Sequence, residues 1–253
     1  MILEKFRLDG KTAIVTGARK GLGFGIAEGL AEAGADIVGV GPLPMPETRS
    51  AVEALGRRFL HVEADLTGQE RIGAIVEETV ACFGGVDILV NNAGIIRRDD
   101  ILEFSEKDWD EVLNVNLKSL FFLSQAAARQ MVRQGRGGKI LHVASLLSFQ
   151  GGIRVPAYTA SKSGVAGLTR LLANDLAKYG IQVNAIAPGY MATDNTEALR
   201  NDPRRSEEIL ARIPAGRWGT PEDLKGTAVF LASSASDYVT GHIAAVDGGW
   251  LSR

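Results

Sequence analysis

The sequence is poor in cysteine, in histidine and in surplus charge, and each shortage closes off a class of protein. One cysteine, Cys82, among 253 residues leaves no intrachain disulfide, which agrees with a reducing compartment. The three histidines, His61, His142 and His242, are scattered without the spacing of a metal site, so no metal is expected. A net charge of -2 and basic residues that cluster only in pairs (Arg57-Arg58, Arg97-Arg98, Arg204-Arg205) offer no patch for a nucleic acid. No apolar run approaches the roughly 20 residues of a membrane span, and residues 1–11 lack the apolar core of a secretory signal. A cytoplasmic protein with neither membrane nor nucleic-acid partners is expected.

What is present is an ordinary globular composition, 45% apolar and 23% charged, with nothing that marks a linker. A single domain over residues 1–253 follows. Thr12 to Thr16 reads as a strand; it ends in Gly17-Ala18-Arg19-Lys20-Gly21-Leu22-Gly23, after which Ile26, Leu30 and Ala33 recur at helical spacing. With the apolar run Ile37 to Val40 this makes a β-α-β unit. The alternation continues: helix 47–57, strand 59–62, helix 69–83, strand 87–90, one long helix from Ser105 to about Gln134, strand 139–143, helix 157–179, strand 181–186, helix 221–233 and strand 243–246. Residues 190–215 are polar and charge-dense and read as a flap over the substrate. The pattern predicts an α/β fold of Rossmann type, a doubly wound, seven-stranded parallel sheet with helices on both faces.

In such sheets ligands bind beyond the carboxyl ends of the strands. Residues 16–23, 41, 65, 91–94, 145 and 187–193 should therefore line one crevice. Gly17, Gly21 and Gly23, between a strand and a helix, let backbone N–H groups approach a pyrophosphate at the helix N-terminus, where the dipole favours negative charge. Asp65, followed by Leu66, could accept from an adenine amino group or could cap the next helix. Where an acid would hold the ribose hydroxyls of NAD the sequence has Gly41-Pro42, and Arg19 and Lys20 could attract a 2′-phosphate, so the residues alone lean toward NADP.

Tyr158-Thr159-Ala160-Ser161-Lys162 places a phenol and an ammonium one helical turn apart. A fixed positive charge beside a phenol favours the phenolate and suits the pair to moving one proton at an alcohol or carbonyl. Together with the glycine turn, Asn91-Asn92-Ala93-Gly94, Asn116, Ser145 and Asn184-Ala185-Ile186-Ala187-Pro188-Gly189 with Thr193, this motif strongly resembles the short-chain dehydrogenase/reductase family over essentially the whole chain. The resemblance implies that Tyr158 exchanges the hydroxyl proton, that Lys162 lowers the phenol pKa and holds the nicotinamide ribose, that Ser145 bonds the reacting oxygen, and that Asn116 holds a water leading to Lys162. It also implies that Asn92, Ala93 and Gly94 floor the cofactor site and that Pro188, Gly189 and Thr193 meet the nicotinamide carboxamide.

Closer similarity, carried by Arg97-Arg98, residues 102–109, 147–156, 187–193 and 212–219, is to family members that oxidise or reduce sugar acids. It implies a hexulosonate substrate, NAD as cofactor and a homotetramer, with NADP left open by Arg19, Lys20 and Gly41. A sugar-acid carboxylate needs a counter-charge, which Arg98 or Arg154 could supply as a bidentate fork, with Gln150 and Tyr190 beside it. The rival readings are a reductase of another carbonyl, such as a 3-oxoacyl thioester or gluconate, and a non-catalytic dinucleotide-binding scaffold.

Overall fold

The computed structural model describes Met1–Arg253. Seven strands form one parallel sheet: β1 (Thr12–Thr16), β2 (Asp36–Gly41), β3 (Phe59–Glu63), β4 (Ile88–Asn91), β5 (Gly138–Val143), β6 (Ile181–Pro188) and β7 (Ile243–Val246), in the order β3-β2-β1-β4-β5-β6-β7. Every residue of β1 and of β4 is buried, which is why these strands are apolar runs rather than alternating ones.

The helices are α1 (Gly21–Glu32), α2 (Pro46–Ala54), α3 (Ile72–Phe83), α4 (Glu106–Leu113), α5 (Ser119–Gln134), α6 (Pro156–Leu176), α7 (Glu197–Asn201), α8 (Pro203–Arg212) and α9 (Glu222–Ala232). They cover both faces. Ile26 and Leu30 of α1 and Leu224 and Leu231 of α9 pack on Ala13, Val15, Val90 and Leu141; Ile75 of α3, with Leu123 and Met131 of α5, packs on Ile14, Leu89 and Ile140. Successive strand residues thus feed opposite layers. Between α1 and α9 the approach is close: a Cβ on Gly25 would lie 2.6 Å from Pro221, and one on Gly29 2.8 Å from Lys225. Lys225 reaches across this seam to Glu28, Glu32 and Glu222 at 2.8, 2.9 and 2.8 Å.

Two expected boundaries move for local reasons. The long helix from Ser105 is divided: Ser105 Oγ accepts from the Asp108 N–H at 3.1 Å and opens α4, but Asn114–Lys118 winds into a π turn before α5 begins. The helix expected from Gln69 starts at Ile72, because Asp65 Oδ1 accepts from both the Thr67 N–H and the Thr67 hydroxyl at 2.9 Å and holds the preceding residues in a turn. No helix is long and apolar enough to cross a membrane.

The chain runs outward from β1 to β3, returns to β4 beside β1, and continues the other way. At that reversal the helices that follow β1 and β4, α1 and α5, go to opposite faces of the sheet, and a crevice opens at the carboxyl ends of the strands.

Candidate active site

The glycine turn is built for an anionic ligand. Gly17 and Gly21 have positive φ, +66° and +59°, and a Cβ on Gly23 would stand 2.2 Å from the Gly17 carbonyl oxygen. Thr16 Oγ1 accepts from the Asn92 and Ala93 N–H groups at 2.9 Å, and Asn92 Nδ2 donates to the Thr16 carbonyl at 2.9 Å, so the loop after β4 is tied to the loop after β1. The bare backbone at the N-terminus of α1 therefore faces open space, with the nearest side chain, Thr193, 3.7 Å from a Cβ on Gly21. A dinucleotide pyrophosphate fits such a cradle.

A cavity of about 220 Å³ runs from this turn to the tyrosine. It is lined by Gly17, Gly21, Gly23, Asn92, Ala93, Gly94, Val143, Tyr158, Lys162 and Thr193, and also by Lys20, Leu22, Asp194 and Asn195. Lys20 forms an ion pair with Asp194 across it. Arg19 is exposed and makes no side-chain hydrogen bond or ion pair. The turn that carries it is held to the end of β2, where the Gly17 N–H donates to the Val40 carbonyl at 2.8 Å. Asp65, spent on Thr67, keeps its second oxygen free; Leu66 is buried beneath it.

At the other end Tyr158 and Lys162 rise from the first turns of α6. Lys162 is 4% exposed, and its Nζ donates to the Val143 carbonyl at 2.6 Å, 5.5 Å from the centre of the Tyr158 ring. Burial pulls the ammonium down to about 8. Burial also pushes the Tyr158 phenol up, while the Ser145 hydroxyl and the charge of Arg98 pull it back. The charge of Arg98 thus joins the Lys162 ammonium beside the ring, a contribution the Tyr-x-x-x-Lys spacing does not reveal.

Asn116 is buried in the π turn, a helix form concentrated at functional positions. Its Oδ1 accepts from the Ile95 N–H at 2.8 Å, and its Nδ2 donates to the Ile95 carbonyl at 2.9 Å and to Ser161 Oγ at 3.2 Å. The side chain holds the floor loop to α6.

The mouth of the crevice separates the arginines. Arg97 is engaged by Glu111 at 3.0 Å and Asp108 at 3.4 Å. Arg154, in the left-handed region at φ 62°, lies 4.0 Å from Asp99. Arg98 has no acidic partner and donates to the Asn195 carbonyl at 3.1 Å. Pro188 ends β6 in the interior. Gly189 follows, held by its N–H to the Val246 carbonyl at 2.9 Å. Tyr190 packs between Trp218 and Trp250, ring centres 5.6 and 4.6 Å away, and the Trp250 indole donates to Gln150 Oε1 at 3.2 Å. Trp250 is an addition that the sequence did not point to, while Trp218, Asp194 and Asn195 fell within the stretches 212–219 and 190–215 without a role of their own. Only the fold brings Asp194 and Asn195 to the crevice and the two tryptophans to Tyr190.

A doubly wound sheet with a phosphate-fitting glycine turn and a phenol–ammonium pair in one crevice defines a dinucleotide-dependent oxidoreductase. The chain belongs to the short-chain dehydrogenase/reductase family: the family model described as Enoyl-(Acyl carrier protein) reductase matches residues 17–251. It is 66% identical, over 100% of both chains, to the 2-dehydro-3-deoxy-D-gluconate 5-dehydrogenase of Dickeya dadantii. Among solved structures it resembles an Agrobacterium tumefaciens protein provisionally named 2-deoxy-D-gluconate 3-dehydrogenase, with bound NADP, at 56% identity and TM-score 0.93 over 98% of this chain and 99% of that one. It also resembles a gluconate 5-dehydrogenase from Burkholderia cenocepacia in complex with NADP and tartrate, at 40% identity and TM-score 0.95 over 100% of both chains.

Proposed function

We propose that this enzyme transfers a hydride between a nicotinamide and a sugar acid, 2-dehydro-3-deoxy-D-gluconate at its 5-position or 2-deoxy-D-gluconate at its 3-position. The observation that carries the substrate class is Arg98, a guanidinium without an acidic partner at the mouth of the crevice, near enough to Tyr158 for its charge to act on the phenol. A carboxylate can take both prongs of that fork. Gln150, whose amide nitrogen is left free by Trp250, meets a hydroxyl, and Tyr190 packs against the sugar; Arg154 stands at the rim as a second cation.

The nicotinamide supplies or accepts the hydride. Tyr158 accepts the hydroxyl proton during oxidation and returns it during reduction; Ser145 donates to the reacting oxygen as charge develops there. Lys162, fixed by the Val143 carbonyl, keeps positive charge under the phenol and bonds the ribose hydroxyls. Asn116 orients the floor loop and a water leading toward Lys162. The segment 190–215 closes over the bound pair as a flap, held by Lys20–Asp194 and Arg98–Asn195.

Both dinucleotides are used. No acid stands at Gly41 to repel a 2′-phosphate, Arg19 is free to bind one, and the two structural relatives named above carry NADP; the wider resemblance favours NAD. Arg19→Ala should raise the KM for NADP about tenfold and leave that for NAD within about twofold, a charge-assisted contact being worth roughly 1.5–3 kcal/mol. A homotetramer is supported by exposed apolar side chains on the outer helices, Trp109 of α4, Phe122 and Val132 of α5 and Leu171 of α6. A single exposed cysteine suits the cytoplasm.

The test follows reduced nicotinamide spectrophotometrically against hexulosonates and an acetoacetyl thioester. Turnover of the hexulosonate alone is expected, with Tyr158→Phe slower by about 10³-fold and Arg98→Ala losing about 30-fold in kcat/KM. If Arg98→Ala and Arg154→Ala both stay within about twofold of wild type, the carboxylate reading is wrong. Preference for the thioester would install the rival substrate.

A further inference from the structure

His142 has no part in the chemistry just described, and it is 0% exposed. A buried imidazole is costly unless both nitrogens are satisfied. Both are: Nδ1 lies 2.9 Å from Thr169 Oγ1 and Nε2 3.2 Å from Ser124 Oγ. Asn91 Nδ2 donates to the same Ser124 Oγ at 2.9 Å. One ring thus joins β4 through Asn91, α5 through Ser124 and α6 through Thr169 to its own strand, β5.

The hydrogen count fixes the state of this network. Each hydroxyl has one hydrogen, and each lies 2.7 Å from the carbonyl four residues back, Ser124 from Leu120 and Thr169 from Val165. If both hydroxyls keep those carbonyls, both ring nitrogens must donate, which only an imidazolium can do. Burial and the charge of Lys162, the one ionised group acting on the ring, pull the imidazole down to about 3. The ring is neutral, and one hydroxyl turns its hydrogen from its helix carbonyl to the ring.

The network is next to the proton-transfer pair. The residue after His142 is Val143, whose carbonyl holds Lys162 Nζ at 2.6 Å. Lys162 and Thr169, seven residues apart, share one face of α6. That face is therefore fastened to β5 twice, by the ammonium at Val143 and by the hydroxyl at His142.

We infer that His142 is a positioning residue for proton transfer: through Thr169 it fixes α6 against β5, so that the Val143 carbonyl keeps the Lys162 ammonium under the Tyr158 phenol. The inference rests on Tyr158 and Lys162 being the groups that move the proton. When the second fastening is lost, the ammonium drifts from the phenol, and the pH at which Tyr158 becomes active as a base rises. Arg98 from the floor loop and Ser145 after β5, the other groups acting on that phenol, are left in place.

The experiment compares Thr169→Val, which has nearly the shape of threonine, with His142→Val and His142→Asn, reading melting temperature, kcat, cofactor KM and the pH dependence of kcat/KM in the oxidative direction. An asparagine amide stands where Nδ1 stands, and so retains the Thr169 bond while giving up Ser124. Thr169→Val is expected to lower kcat about fivefold with cofactor KM within about twofold, and to move the rising limb of the pH profile up by about half a unit; His142→Asn should recover most of what His142→Val loses. If the variants melt earlier yet keep the wild-type kcat and pH profile, or if His142→Asn is no better than His142→Val, the inference is overturned and His142 is a packing residue. Tyr158→Phe separates the two readings. If it abolishes turnover while Thr169→Val behaves as wild type, only the role of His142 falls; if it retains full turnover, the assignment of the proton-transfer pair falls and takes the role of His142 with it.

Discussion

A buried imidazole and a buried ammonium are both held below their ordinary pKa values, and the imidazole gives this protein an acid sensitivity that can be traced to a single residue. For His142 the sign follows from linkage: the folded state refuses a proton that the unfolded chain takes below about 6.5. Its stability contribution is complete above that pH and is lost as pH falls from 6.5 toward 3. Between pH 6.5 and 5 the loss should be about 2 kcal/mol. Thermal melts of wild type and His142→Asn over that range check this, the variant giving the flatter line. Lys162 acts higher, between its ordinary 10.5 and about 8, and contributes no further slope in the acid range.

Among the elements, the seam between α1 and α9 is the place where packing and charge depend most on one residue. Two glycines let the helices touch, and Lys225, its side chain 12% exposed, collects three carboxylates there. Their combined charge raises its pKa despite burial. Lys225→Met should destabilise by about 2–3 kcal/mol, because three like charges are left facing one another; added salt should recover part of the loss in a melting experiment, since the acids are partly exposed. Elements of this kind were legible in the sequence wherever apolar periodicity and a breaker coincided. β1 and β7 lie where the periodicity put them, and Gly17 to Gly23 make the expected turn from strand into helix. The π turn at Asn114–Lys118 was not legible, because its residues continue an α-helical pattern and the extra backbone residue is accommodated only when Asn116 reaches Ile95 and Ser161. In the site, the motif residues could be read, since each occupies a fixed place after a strand or on α6. The contacts that tune them could not: the action of Arg98 on the phenol, the Val143 carbonyl under Lys162 and the stacking of Tyr190 between Trp218 and Trp250 join segments distant in sequence.

For the molecule as a whole, charge does not oppose assembly. A net charge of -2 over 253 residues gives little mutual repulsion, and α6 carries a bare stretch at Gly167, where a Cβ would meet nothing within 4 Å, beside the exposed Leu171. Helices with such surfaces approach one another closely. If this face is the contact, Phe122→Glu combined with Leu171→Glu should halve the particle mass measured by light scattering, or reduce it further, with little effect on the far-ultraviolet circular dichroism. A variant pair that leaves the mass unchanged would move the contact elsewhere.

The reversal of strand order between β3 and β4 also has a consequence for how the chain is made. β1 emerges first from the ribosome but lies in the middle of the finished sheet, with Ile14 opposite Val38 on one side and opposite Leu89 on the other. Until β4 is synthesised, one edge of this fully buried strand stays open, and Tyr158 is still farther behind. The nascent half that carries the glycine turn therefore holds an unpaired parallel edge in waiting, which makes the interval before β4 arrives the period of greatest exposure to misassembly.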